Sequence, residues 1–181
     1  MKSWWALLLA GLAGVAMGAL PHQLDPQMAP NNYQSDEDEK PWQELEIEPP
    51  AFPKQENLIE FYVSAVTTNK YSIDASTLVV GADGVIRYVL VVQTSGGATN
   101  VSFEGMHCKE HSWKHYAAGR SDGTWIKSRA SRAEWRPIEN KVVNRHHAAL
   151  SRDLFCPVGN SVLTADEARN ALRLGKHPNA Y

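Results

Sequence analysis

Apolar residues run unbroken from Trp4 to Leu20, thin out over the next forty positions, and from Leu58 onward alternate with polar ones. Each pattern predicts a different element. The first run follows Lys2 and ends among small residues ahead of Pro21, the pattern of an export signal, and it is short for a stable span of about 20 apolar residues. It predicts a signal peptide over 1–19 and a mature chain starting at Ala19 or Leu20, with an uncleaved anchor as the competing reading. From Leu58, Ile59, Phe61 and Val63 lie on one face and Glu60, Tyr62 and Ser64 on the other, which predicts a half-buried strand. Residues 77–80, the turn Gly81-Ala82-Asp83-Gly84 and residues 85–93 predict a hairpin. Its second strand, apolar on both faces apart from Arg87, is expected at the centre of the sheet with cover on each side. Residues 100–108, 113–118 and 124–127 add strands at short intervals, the spacing of an antiparallel meander rather than of parallel crossover units.

The period then lengthens. Asn144 is placed to cap a helix over 145–155 whose inner stripe is His147, Leu150, Ser151 and Leu154, stopped by Pro157. A second helix opens on the capping box Thr164-Ala165-Asp166-Glu167, buries Ala168, Ala171 and Leu172, and ends at Gly175. The expected fold class is therefore α+β: an antiparallel β-meander sheet with two C-terminal helices and one disulfide. Between signal and body, residues 20–56 carry most of the prolines and the run Asp36-Glu37-Asp38-Glu39. They read as an acidic, Pro-rich flexible leader in which Trp42, Leu45 and Ile47 are able to dock on the body, with the folded domain over 57–181.

Charge sharpens that division. The formal net charge of -2 conceals an acidic leader and a basic body. Arg120, Lys127, Arg129 and Arg132 interleave with Trp125 and Trp135 and form the candidate partner-binding segment. Three readings stand side by side: the segment guards a sheet edge, meets the chain's own acidic leader, or meets an external acidic partner. Export makes nucleic acid an unsuitable partner, and removal of the signal leaves no stable membrane span.

The two cysteines, Cys108 and Cys156, are the complete set, and in an oxidising compartment they predict a disulfide from the end of a central strand to the end of the first helix. His107, His111 and His115 recur every fourth residue with Cys108 and Glu110 nearby. Strand alternation puts His107 and His115 on separate elements, so surface or turn histidines are expected and neither metal nor cofactor is assigned. His147 reads as a core histidine and His146 as facing solvent. Asp83 is explained by its turn and Glu104 by an exposed strand face. The chain carries no G-x-S-x-G elbow and no phosphate-cradling glycine loop, so no catalytic residue is assigned.

Several motifs occur in order: Asn57-Leu58-Ile59-Glu60-Phe61, the stretch from Asp74-Ala75-Ser76 through Gly81-Ala82-Asp83-Gly84 to Tyr88, Asn100-Val101-Ser102-Phe103-Glu104-Gly105 before Cys108, Tyr116-Ala117-Ala118-Gly119 with Asp122-Gly123-Thr124-Trp125, and Phe155-Cys156-Pro157. Together they resemble the CNP-one-like family of exported betaproteobacterial proteins, over about residues 50–175. The resemblance implies a periplasmic, non-enzymatic domain, for some members one that supports type IV pilus assembly or stability. The expected partner is then an envelope or pilus-assembly protein. A small periplasmic hydrolase or ligand-binding protein, with a cleft between sheet and helices, is the alternative.

Overall fold

The structure is a computed structural model that describes residues 41–129 and 133–181. The expected signal, the first half of the leader and Arg132 lie outside the described residues. Eight strands form one antiparallel sheet: β1 (Leu58–Phe61), β2 (Lys70–Asp74), β3 (Val79–Val80), β4 (Val85–Gln93), β5 (Thr99–His107), β6 (Ser112–Gly119), β7 (Trp125–Lys127) and β8 (Arg136–Pro137). The path runs β1-β2-β4-β5-β6-β7, with β3 beside the start of β4 and β8 beside the start of β6. Two helical segments follow: α1 (Arg145–Ala149), which widens into a π-helical stretch over Leu150–Phe155, and α2 (Ala165–Leu174). The expected α+β class and antiparallel meander are what the chain forms. Among the described residues no helix is long and apolar enough to cross a membrane.

The sheet has two buried faces. On one, Phe61, Ile73, Ile86, Tyr88, Leu90 and Met106 pack beneath Leu150, Leu154, Phe155, Ala168 and Leu172 of the helical layer. On the other, Val89, Val91, Phe103 and Ala117 form a smaller core with Ile47 and Trp125 against it. Strand β4 is thus covered on both sides, as its two apolar faces require. The expected inner stripe of the first helix is buried as read, from His147 to Leu154.

Three local readings are corrected. The strand after β1 is β2, which the sequence reading passed over although Lys70-Tyr71-Ser72-Ile73-Asp74 alternates, and it separates β1 from β4. The hairpin strand expected over 77–80 shrinks to β3, since Asp74 holds the backbone and hydroxyl of Ser76 at 2.8 and 2.6 Å and turns the chain there. Asn144 makes no side-chain cap, because a 3-10 turn over Val142–Asn144 leads into α1. At α2 the cap works as read: Thr164 Oγ1 accepts from the Glu167 N–H at 3.1 Å, Glu167 Oε2 accepts from the Leu163 N–H at 2.7 Å, and Gly175 closes the helix at φ 75°. Cys108 and Cys156 are bridged, with Cα atoms 5.4 Å apart, and tie the end of β5 to the end of the helical layer's first segment.

Candidate functional site

Residues 41–52 lie across the second face of the sheet as a strap and belong to one compact unit with the body, Pro41–Tyr181. Two charged groups on the body hold this strap. Arg87, the single charged residue of β4, is almost wholly buried with Asp83, which it binds through two nitrogens at 2.9 and 2.6 Å. The same pair reads the strap's backbone: the Leu45 N–H donates to Asp83 Oδ2 at 2.9 Å, and Arg87 donates to the Leu45 carbonyl at 3.1 Å. Trp42 Nε1 donates to the Asp83 carbonyl at 2.8 Å. Burial pushes the Asp83 carboxyl up, but the bonds from Arg87, Leu45 and Val85 outweigh it and hold the group at about 2.

The second anchor is Glu44. Its Oε2 accepts from Lys114 at 2.7 Å and Trp135 Nε1 at 3.2 Å, and its Oε1 accepts from the Tyr116 hydroxyl at 2.7 Å. Burial opposes ionisation there too, yet the three donors and the Lys114 charge leave its carboxyl below the ordinary range. Two glycines make room. A Cβ on Gly105 would sit 2.6 Å from the Tyr116 hydroxyl, and one on Gly119 would sit 2.8 Å from both Phe52 and Val101. Tyr116 lies at a bulge, where the register between β5 and β6 shifts after Phe103, and such a break re-aims a side chain.

Three of the six candidate residues contact this strap. Trp125 Nε1 donates to the Pro50 carbonyl at 2.8 Å and its ring packs on Phe52, Lys127 pairs with Glu48 at 2.7 Å, and Trp135 binds Glu44. Arg120 and Arg129 remain exposed. Of the segment's described basic residues, Lys127 alone pairs with the leader, at Glu48. Arg87, Tyr116 and Lys114 were not singled out by sequence, although a lone arginine inside an apolar strand is a readable signal.

Removing Asp83 tests how the strap is held. Asp83→Ala is expected to raise the rate of limited proteolysis within 41–52 about tenfold or more, because local cleavage tracks the population of the open form. Lys127→Ala removes an exposed pair and is expected to change that rate little. Equal rates in the two variants would show that the buried pair does not hold the segment.

A second cluster lies under α1. His147 Nε2 donates to Glu104 Oε2 at 2.8 Å, Ser102 donates to Glu104 Oε1 at 2.7 Å, and the Trp113 ring stacks on His147 with centroids 3.7 Å apart. His146 lies between His147 and the ring of Tyr71. Two sequence readings are therefore corrected: Glu104 is on a buried face, since β5 is covered by α1, and His146 is stacked rather than turned to solvent. Burial pushes the His146 imidazole down to about 4, helped by the neighbouring His147. Burial would raise the Glu104 carboxyl, but the charge and hydrogen bond of His147 outweigh it and hold it at about 2. Desolvation and the Glu104 carboxylate push the buried Tyr88 phenol well up. Glu104 and His147 bind each other with almost no exposure, which makes the pair a clamp between sheet and helix.

The remaining histidines separate as the strand alternation required. His107 ends β5, His111 sits in the turn at φ 46°, and His115 on β6 bonds through Nδ1 to the Ser128 hydroxyl. His107 is buried beneath Trp42 and Trp135 rather than on the surface. No group of metal-ligating side chains forms among the described residues.

The sequence model of the CNP1-like family matches residues 37–173. The chain belongs to the CNP1-like family. Neither a curated protein nor a solved structure matches it. The family match begins ahead of Pro41, before the resemblance read from motifs alone, so the strap lies within the matched span. Its span also takes in both cysteines, Glu104, His147 and the Asp83–Arg87 pair.

Proposed function

We propose that this CNP1-like protein is exported to the periplasm and works there through protein contacts, not through catalysis, in support of type IV pilus assembly or stability. The observation that carries the contact reading is the strapped sheet face. It recognises an extended acidic segment through backbone bonds at Leu45, a carboxylate site at Glu44 and an apolar floor under Ile47. These are the means by which domains bind extended peptides. Export is supported by Lys2 and the apolar run behind it, and by a disulfide of the sort that persists in oxidising compartments. The link to pili rests on the family resemblance.

The hydrolase alternative needs an open cleft with convergent polar groups between sheet and helices. At that place Glu104 and His147 are closed over by α1 and Trp113, which favours contact over chemistry. Deletion of the gene is expected to reduce surface piliation, with recovery on return of the full-length chain but not of a chain lacking residues 1–19. Normal pili in the deletion strain would remove this reading.

A further inference from the structure

Trp42, His107 and Trp135 converge at one end of the sheet. Ring centroids are 4.9 Å apart for Trp42 and His107, 6.0 Å for the two tryptophans and 5.9 Å for His107 and Trp135. The two indoles stand nearly edge to face, at 74°. A cleft of about 380 Å³ opens here, bordered also by Glu110, Ser112 and Arg136, within the size range of small-ligand sites. Neither indole is loosely placed. Trp42 Nε1 is fixed on the Asp83 carbonyl and Trp135 Nε1 on Glu44, yet Trp42 still leaves 48% of its surface in water.

The rim charges decide what fits. A cation drawn to the aromatic faces would meet Arg136, and an anion drawn to Arg136 would meet Glu110. A neutral ring with an apolar face and a hydroxyl edge satisfies both. We infer that this cleft binds a neutral saccharide, with the C–H face of a sugar ring on an indole and its hydroxyls donating to the Glu110 carboxylate and accepting from the Arg136 guanidinium. Trp42 comes from the strap, so the site is complete only while the strap is docked. Ligand bound there must in turn favour the docked strap. The inference stands apart from the pilus reading, since sugar binding and normal piliation can hold together.

The test titrates the full-length, disulfide-bonded protein with chitotriose and with maltotriose, following the tryptophan Nε1–H signals by NMR. Saturable shifts at Trp42 and Trp135 with at least one sugar are expected, together with slower proteolysis within 41–52 at saturation. Trp42→Ala is expected to weaken binding about tenfold, the effect of losing one stacking ring. Glu110→Gln, at an exposed position that leaves the fold intact, is expected to weaken it about threefold or more. No shift with either sugar, binding indifferent to Glu110→Gln, or saturable binding of choline in place of the sugars would each overturn the assignment.

Discussion

Replacing His147 with alanine is expected to destabilise the fold by about 3–5 kcal/mol, the usual cost of leaving a buried carboxylate without its partner. The reason is local. Glu104 keeps its charge because His147 binds it, and without the imidazole a carboxylate is left under α1 with only Ser102. The stacked Trp113 also loses its neighbour. Glu104→Gln keeps a hydrogen-bonding group of the same shape without the charge, so it is expected to cost only about 1–2 kcal/mol. Urea denaturation of both variants measures the difference. A His147→Ala loss no larger than that of Glu104→Gln would mean that the pair is not the clamp described above.

The same cluster sets the response to acid. Between about pH 6.5 and 4 the unfolded chain protonates His146 and the folded chain does not, so the unfolded state binds more protons and stability falls as pH falls. The slope is at most about 1.4 kcal/mol per pH unit from this one group. A second window follows lower down. Asp83 and Glu104, held at about 2 in the fold, lose their contributions as pH drops from the ordinary carboxylate range through that value. The urea midpoint is expected to fall from pH 7 to pH 4.5, and His146→Leu to flatten that part of the curve. A wild-type midpoint unchanged between those two pH values would contradict the burial of a neutral His146.

Loss of the disulfide is the second large effect. Cys108→Ala with Cys156→Ala opens a loop of sequence separation 48, worth about 4 kcal/mol in the chain-entropy account. Both cysteines are buried in the core between β5 and the helical layer. The oxidised protein is expected to show no free thiol when denatured without reductant, and the double variant to unfold at markedly lower urea. A loss under about 1 kcal/mol would mean that the helical layer is held by packing alone, with the bridge adding little.

Much of the framework was legible along the chain. Alternation at Ile59, Phe61 and Val63, the doubly apolar β4 and the capping box at Thr164 are local signals, written in periods of two and 3.6. The strands passed over were β2, although its five residues alternate, and β8, whose two residues carry no period; the strand read over 77–80 survives only as β3. Glu104 shows the other limit. Alternation told which residues share a face with it, but nothing local said that α1 would lie over that face. His146 was misread for the same reason, because a helix wheel gives one inner stripe and not the tilt that brings Tyr71 against a flank.

By itself the sequence determined the class of fold, most of the strands and the helical segments after them, the pairing of Cys108 with Cys156, and the contrast between an acidic leader and a basic body. These follow from short-range patterning, from cysteine count and from charge, none of which needs a third dimension. Only the tertiary structure decided where residues 41–52 of the leader go. Arg87 and Asp83, Glu44 with its three donors, and the gaps at Gly105 and Gly119 are brought together from positions up to 91 residues apart, and their bonds exist only once the sheet has formed. The physical reason is that a charge run is satisfied by water until a folded surface presents partners at hydrogen-bond distance. Trp42, which the sequence offered only as a residue able to dock, thereby becomes one wall of a cleft.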